Sequence, residues 1–243
     1  MKTVFVLCFV AMVTAEDFSI KLEENGQKFT EKIKLDTVAN TEEYDVPAHQ
    51  DRVEMHLLKD FNKRLVAMKV PVSKVCYVEA LESDVQAPKD LKKSMELSNS
   101  RFPSERYMVH QKQHLVIRKM TEEEVGEKIA AHCAGYEIVF TVTPKDNNIE
   151  KLALELAKPL QRQRKRDTFT SFWACDIKSS YVPRACKLSG GRLAARCHFW
   201  RDDRRTCVYE ITCRTVYVNG QMAATCDGDH KYSLMSCCDY ICL

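Results

Sequence analysis

Two cysteines placed symmetrically about an Asn-Gly pair are the clearest candidates for chemistry in this 243-residue sequence, and that chemistry is disulfide formation. Asn219-Gly220 is typical of a two-residue hairpin turn, in which paired residues lie equally far from the turn. Cys213 and Cys226 meet this condition and fall on a non-hydrogen-bonded pair, where Cα atoms lie about 4.5 Å apart. A disulfide accepts that distance, at the short end of its range. We therefore expect a Cys213 to Cys226 bond across a β-hairpin, although other pairings among the nine cysteines from Cys175 to Cys242 stay open.

A basic run before this region indicates a second kind of chemistry, proteolytic processing. The segment LQRQRKRD holds Arg162, Arg164, Lys165 and Arg166. It resembles a prohormone-convertase site cut after Arg166, and exposed linkers are where proteolysis concentrates. The arginine preferred four positions before the cut is replaced by Gln163, for which Arg162 and Arg164 compensate. The alternative is a solvated basic helix end.

Motifs of catalysis and metal binding are missing from the sequence. It contains no HExxH, no nucleophile elbow and no glycine-rich phosphate loop. Asp227, Asp229 and His230 lie close together but form too incomplete a ligand set for a metal. The net charge of +3 does not favour a nucleic-acid partner. We expect neither an enzyme nor a cofactor.

The first residues and the cysteines indicate an oxidising compartment. Lys2, the apolar run Val4 to Val13 and the small residues up to Ala15 predict a signal peptide over residues 1–15. No later segment approaches the roughly 20 apolar residues of a membrane span. We expect a secreted, extracellular protein whose cysteines form disulfides. Removal of Cys8 leaves an odd number, so one thiol stays free or links a disulfide-bonded homodimer.

The elements that must position these residues follow from periodicity and turn signals. Residues 18–35 alternate around Asn25-Gly26, which predicts a hairpin. Apolar spacing predicts helices over His56–Met68 and from Ile149 to Leu160, and Pro88 favours another helix over Lys89–Leu97. Residues 75–81 and 106–119 are typical of strands. Thr121 and Glu124 form a capping box for a helix that ends at His132, just before Cys133.

This order of segments resembles the BRICHOS domain. The resemblance is carried by DFNKRLVA, KVCYVEAL with Cys76, QAPKDL, RYMVH and a lone Cys133 after an amphipathic helix, and it covers roughly Asp17 to Thr143. The core is similar to the Bri family, the upstream hairpin to chondromodulin and tenomodulin, and the layout to arenicin-type antimicrobial precursors of marine worms.

The resemblance implies a small sheet flanked by two helices and a disulfide between Cys76 and Cys133. It places the family's functional carboxylate on Asp60, in the first predicted helix, where ionisation would be costly and a pH-sensitive hinge could form. The alternative is an exposed helix carboxylate. It also implies a chaperone-like activity that holds an aggregation-prone β segment of the same precursor by strand capture.

The predicted organisation has five parts: a signal peptide over residues 1–15, a β-hairpin linker over 16–48, a BRICHOS domain over 49–145, a helical linker with the cleavage site over 146–166, and a cysteine-rich mature domain over 167–243. The fold class is α+β, with the BRICHOS-like sheet followed by a small disulfide-rich β domain, since so short a tail needs disulfides for stability.

The predicted function is that of a secreted proprotein. Its BRICHOS region chaperones its own C-terminal segment, and a proprotein convertase then releases a disulfide-rich effector, a host-defence or toxin-like peptide. The effector's partner is an anionic membrane surface or a receptor, since the stretch from Arg184 to Arg214 contains eight basic residues and three acidic ones. The alternative is that this basic zone is a solvated face. The alternatives are an extracellular signalling or matrix ligand and an uncleaved two-domain protein.

Overall fold

Most of the chain takes part in strands. The structure, a computed structural model, describes residues 15–97, 107–146, 148–162, 192–199 and 206–243. In chain order the elements are β1 (Ala15–Glu24), β2 (Gln27–Asp36), β3 (Thr41–Val46), β4 (Met55–Asp60), β5 (Leu65–Val70), β6 (Val75–Ala80), α1 (Pro88–Leu97), β7 (Tyr107–Lys119), α2 (Glu122–Val125), α3 (Glu127–His132), β8 (Glu137–Val142), α4 (Ile149–Arg162), β9 (Leu193–Phe199), β10 (Thr206–Val218) and β11 (Gln221–Cys242). None of the helices in these ranges is long and apolar enough to cross a membrane.

Strands β1 to β6 form an antiparallel meander. The predicted hairpin at Asn25-Gly26 is confirmed: both residues have positive φ, 47° and 83°, and Glu24 pairs with Gln27. Asn-Gly adopts this left-handed backbone at low cost, which fixes the register of β1 and β2. Asn40, Arg64 and Lys74 also have positive φ, each between two successive strands of the meander.

The strands beyond the meander extend the same sheet. β8 pairs in parallel with β6, β7 antiparallel with β8, β11 in parallel with β7, and β10 antiparallel with β11. β9 pairs with the end of β11. The described residues thus form one 11-stranded sheet that includes the C-terminal strands.

The meander is covered on both faces. On one face, the core that contains Leu57, Met68 and Tyr77 continues into Val208 and Ile211 of β10. The opposite face packs beneath α2 and α3 through a smaller cluster: Leu58, Ala67, Cys76, Val78, Val125, Ile129, Cys133 and Ile138. The C-terminal strands therefore cover one face of the meander, and the helices near Cys133 cover the other.

Two helix predictions agree with the structure, and a third agrees in part. α1 begins at Pro88 and ends at Leu97, and α4 begins at Ile149. The capping box of Thr121 and Glu124 is present at the start of α2. Gly126, with φ of 82°, separates α2 from α3, so the segment up to His132 is two short helices instead of one.

The predicted helix over His56–Met68 is wrong. This segment forms β4 and β5, joined by a turn at residues 61–64. The reason is that both faces of these strands are buried: Leu57 and Met68 lie in the larger core, whereas Leu58 and Ala67 lie beneath α3. A strand that is buried on both faces has no clean two-residue alternation, so its apolar spacing also fits a helix.

The predicted fold class is confirmed in part. The structure is rich in sheet, with short helices and disulfides, as expected. However, the C-terminal strands share the sheet and the core of the meander instead of following it as a sheet of their own. A backbone ladder between β7 and β11 joins the two regions.

Candidate functional site

The C-terminal hairpin has the register that its turn predicts. Val218 pairs with Gln221, Cys213 pairs with Cys226, and the turn residues Asn219 and Gly220 have φ of 52° and 79°. The structure joins the two cysteines in a disulfide, with Cα atoms 4.0 Å apart. A further disulfide, Cys197 to Cys238, links β9 to β11. No sequence signal identified that second pair.

Cys76 and Cys133 are also joined, which ties β6 to the end of α3. Both cysteines are almost completely buried. Asp60 lies at the end of β4, not in a helix, and is buried. Its Oδ1 accepts hydrogen bonds from the backbone N–H groups of Asn62 and Lys63, 2.9 and 3.1 Å away, and so shapes the β4–β5 turn. The helical premise of the predicted pH-sensitive hinge is therefore wrong.

The predicted processing sites lie at the limits of the described residues. Arg162 is the last residue of α4, whereas Arg164, Lys165 and Arg166 fall outside the described ranges. The predicted signal peptide also falls outside them, apart from Ala15, the first residue of β1.

β11 is inserted between β7 and β10. Residues 228–236 pair in parallel with residues 107–115 of β7, and residues 221–233 pair with β10 on the other side. A parallel partner satisfies the backbone groups of β11 that point away from β10. The C-terminal segment is thus held by main-chain hydrogen bonds along an edge that β7 provides, and side chains need only select and orient it.

A buried lysine connects the meander to β10. Lys59, on the same face of β4 as Met55 and Leu57, places its Nζ 3.1 Å from Glu42 Oε2 of β3 and 3.4 Å from Glu210 Oε1 of β10. Glu42 is buried, the side chain of Glu210 is 12% exposed, and Glu210 Oε2 also lies 2.6 Å from Lys231 Nζ of β11. Two lysines and two carboxylates therefore alternate across the junction between the meander and the C-terminal hairpin.

The charges in this cluster follow from the balance of burial and pairing. Burial alone would raise the pKa of Glu210, but the charges of Lys59 and Lys231 outweigh it and lower the pKa to about 2. For Glu42 burial is the larger effect, and its pKa is raised despite the contact with Lys59. Burial would lower the pKa of Lys59, but Glu210 and Glu42 raise it, so the lysine stays charged. Of the ion pairs in this cluster, that of Lys59 with Glu210 is the one that joins the meander to the C-terminal hairpin.

A second set of polar contacts lies beside this cluster. His114 of β7 is buried, with Nδ1 3.0 Å from Glu79 Oε2 and Nε2 3.1 Å from Ser233 Oγ of β11. The side chain of Glu79 is only 20% exposed, and this partial burial opposes its ionisation, but the contact with His114 lowers the pKa of the carboxyl. A cavity of about 40 Å³ separates the two sets of contacts and is lined by residues of both regions, including Lys59, His114 and Glu210. It has room for little more than ordered water, so the C-terminal strands themselves fill this site.

A third contact region joins the N-terminal hairpin to β11. Tyr232 Oη donates to Glu24 Oε1 at 2.8 Å, and the Arg52 guanidinium lies 4.4 Å from the centre of the Tyr232 ring. Cys207, adjacent in β10, is a free cysteine, and it is buried. Burial raises the pKa of its thiol to about 12, so it is a poor nucleophile for exchange with a second chain.

The cluster around Lys59 was missed by the sequence analysis. The signal that could have found it is a charged residue at an inward position of an apolar alternation: Lys59 follows Met55 and Leu57, and Glu42 precedes Tyr44 and Val46. Charged residues are rarely fully buried unless they are paired. That signal predicts a buried ion pair but cannot name the distant partner Glu210.

Comparison with known families agrees with this architecture. Residues 52–139 are similar to the family model described as BRICHOS domain. The matched range begins before β4 and ends within β8, so it includes Lys59, Asp60, Cys76, His114 and Cys133. It does not include β1 to β3 or β9 to β11. No curated protein and no solved structure matches the chain.

Proposed function

Because residues 52–139 form a BRICHOS domain, we propose that this domain, together with the strands that precede it, acts as an intramolecular chaperone for the C-terminal segment of the same secreted proprotein. The proposal requires binding and no catalytic step. Its proposed client is the stretch from β9 to β11, and the pairing of β11 with β7 supports this choice.

The insertion of β11 beside β7 is the observation that carries the proposal. A hairpin of β10 and β11 alone would leave the backbone groups on both outer edges unpaired, which is a template for aggregation. In the structure, nine residue pairs between β7 and β11 satisfy one of these edges. Lys59 and His114 then bind Glu210 and Ser233, so recognition of the hairpin includes side chains buried at the junction.

The fate of the captured segment is the second part of the proposal. A proprotein convertase cuts after Arg166 and frees a disulfide-rich effector that acts as a host-defence or toxin-like peptide. Its support is the hairpin tip: residues 214–225 extend beyond the pairing with β7, carry no acidic residue, and expose Tyr217, Val218 and Met222. An exposed apolar tip closed by a disulfide fits contact with an anionic membrane surface.

The alternative for the same segment is an extracellular signalling or matrix ligand that binds a receptor, either after cleavage or within the uncut chain. Dye release from anionic vesicles separates the two classes. We expect the oxidised cleaved product to release dye, and the substitution Tyr217→Ser to reduce the release. An absence of leakage at micromolar peptide would favour the receptor ligand.

Secretion of the chain tests the chaperone role. We expect a chain without residues 16–145, with its signal segment retained, to be secreted poorly and with scrambled disulfides. Co-expression of residues 1–145 should restore native secretion, and the substitution Lys59→Met in that fragment should reduce the rescue. Lys34→Met is the matched control, because Lys34 also lies 3.1 Å from a carboxylate, that of Glu43, but at the surface. Native secretion of the truncated chain by itself would refute the chaperone role.

A further inference from the structure

The outer edge of β10 ends the strand order of the sheet in the described residues. In the β10–β11 ladder, Val218 and Gln221 form the hydrogen-bonded pair next to the turn, and the two kinds of pair alternate from there. Tyr209 and Cys213 therefore occupy non-hydrogen-bonded pairs, and their N–H groups point away from β11. These donors lie four residues apart, about 13 Å along the edge.

Glu31 of β2 binds the first of these donors. Its Oε2 accepts a hydrogen bond from the Tyr209 N–H at 3.1 Å. The side chain is completely buried and takes an inward position of β2, followed by Ile33 and Leu35 in the same alternation. A carboxyl in an apolar stripe costs free energy unless it meets a donor. The outward-facing amide edge of β10 supplies that donor.

Gln86, in the segment before α1, binds the second donor. Its Oε1 accepts from the Cys213 N–H at 3.4 Å. Its Nε2 donates to Ser94 Oγ of α1 at 3.2 Å, which orients the amide so that the oxygen faces β10. Two acceptors from separate elements thus match the spacing of two outward N–H groups on one strand.

We propose that Glu31 and Gln86 form a recognition surface for the free edge of an extended strand, one that presents backbone N–H donors at residues i and i+4. This inference rests on the proposed chaperone function and extends it: β7 binds the inner edge of the captured hairpin through its backbone, and this surface binds the outer edge through side chains. Glu31 lies outside the matched residues 52–139, so part of the recognition belongs to the N-terminal hairpin.

The consequence is protection of the hairpin against edge-to-edge association. An edge strand with unpaired N–H groups recruits another strand. Side-chain acceptors occupy the Tyr209 and Cys213 donors without offering a new strand edge, so these two positions no longer recruit another strand. Recognition of this kind depends on backbone geometry and spacing, and tolerates variation in the client's side chains.

Residue-resolved amide exchange in the full secreted chain tests the inference. In Glu31→Leu the amide of Tyr209 should exchange about tenfold faster than in the wild type, and in Gln86→Leu the amide of Cys213 should do the same. Glu31→Gln, which keeps an acceptor, should retain slow exchange. The amide of Glu210 lies within the β10–β11 ladder and should be unaffected. Glu23→Leu is the matched control, because Glu23 lies in the same β1–β2 hairpin as Glu31 but is exposed.

The Glu31→Leu, Gln86→Leu double variant should also self-associate in gel filtration, whereas the control should elute as the wild type does. Unchanged exchange at Tyr209 in Glu31→Leu would overturn the inference. If that variant is not secreted, slow exchange at Cys213 in Gln86→Leu would overturn it instead. Native secretion of a chain without residues 16–145 would refute the chaperone function. Unchanged amide exchange in the Glu31→Leu and Gln86→Leu variants of the full chain would refute only the edge recognition.

Discussion

Replacing Lys59 with methionine should destabilise the junction between the meander and the C-terminal hairpin more than any surface substitution. Methionine keeps most of the side-chain volume but removes the charge, and Glu42 and Glu210 lose their shared partner at 3.1 and 3.4 Å. Breaking a buried ion pair by removing one member costs about 3 to 5 kcal/mol, since the remaining charge stays buried. For a chain of this size, that corresponds to a urea midpoint lower by about 1 to 2 M.

A double-mutant cycle assigns the effect to the pair. We expect Lys59→Met and Glu210→Gln together to cost about 1 to 3 kcal/mol less than the sum of the two single substitutions, because each single substitution already removes the Lys59 to Glu210 contact, which can be lost only once. The assay is urea unfolding of the secreted chain with its disulfides intact, followed by tryptophan fluorescence and by circular dichroism.

Lys34→Met provides the control for this cycle. The Lys34 to Glu43 distance is also 3.1 Å, but both side chains are more than 40% exposed, whereas those of Lys59 and Glu42 are 4% and 1% exposed. An exposed pair contributes about 1 kcal/mol or less. A Lys59→Met chain within about 1 kcal/mol of the wild type, or strictly additive single substitutions, would refute the assignment of the ion pair to the junction.

Three further predictions concern pH, the first disulfide and cleavage. The pKa of Glu210 is lowered from 4.5 to about 2, so its contribution to the free energy of unfolding is present above pH 4.5 and is lost as the pH falls. The difference in this free energy between wild type and Glu210→Gln should therefore shrink from about pH 5 to 2. A difference that stays constant over this range would contradict the prediction. Cys76→Ala with Cys133→Ala removes a crosslink with a sequence separation of 57 and should lower the free energy of unfolding by about 4 kcal/mol, whereas a loss below about 1 kcal/mol in urea unfolding would count against that role. After cleavage at Arg166, we expect the two fragments to co-elute in gel filtration yet separate on a non-reducing denaturing gel, because each described disulfide lies on one side of the cut; separate elution would show that cleavage alone releases the effector.

The local parts of this fold could be predicted from the sequence. The two Asn-Gly hairpins, the capping box at Thr121 and the register of Cys213 with Cys226 each depend on residues close together in the chain. Their conformations follow from backbone sterics and from short-range hydrogen bonds. The helix predicted over His56–Met68 was wrong because local spacing was not enough there. A strand buried on both faces lacks the two-residue alternation that distinguishes it from a helix.

The candidate site could be predicted only in part from the sequence. From the ordered BRICHOS-like segments we predicted a domain that captures a strand, and from the symmetric cysteines we predicted the hairpin that we propose as its client. The residues that bind this hairpin, such as Lys59, His114 and Glu31, were not identified. Each is a polar residue at a buried position, and its role in binding depends on a partner more than 100 residues away in the sequence.

By itself, the sequence determined the turns, the helix caps, the hairpin register and the identity of the domain, because these depend on contacts between neighbours along the chain or on an ordered set of motifs. Only the tertiary structure decided that β11 lies in parallel beside β7, that Glu210 meets Lys59, and that Glu31 binds the edge of β10. A parallel ladder has no tight turn to fix its register, and a buried charge specifies only that it needs a partner. The partner is chosen when the sheet brings distant strands together.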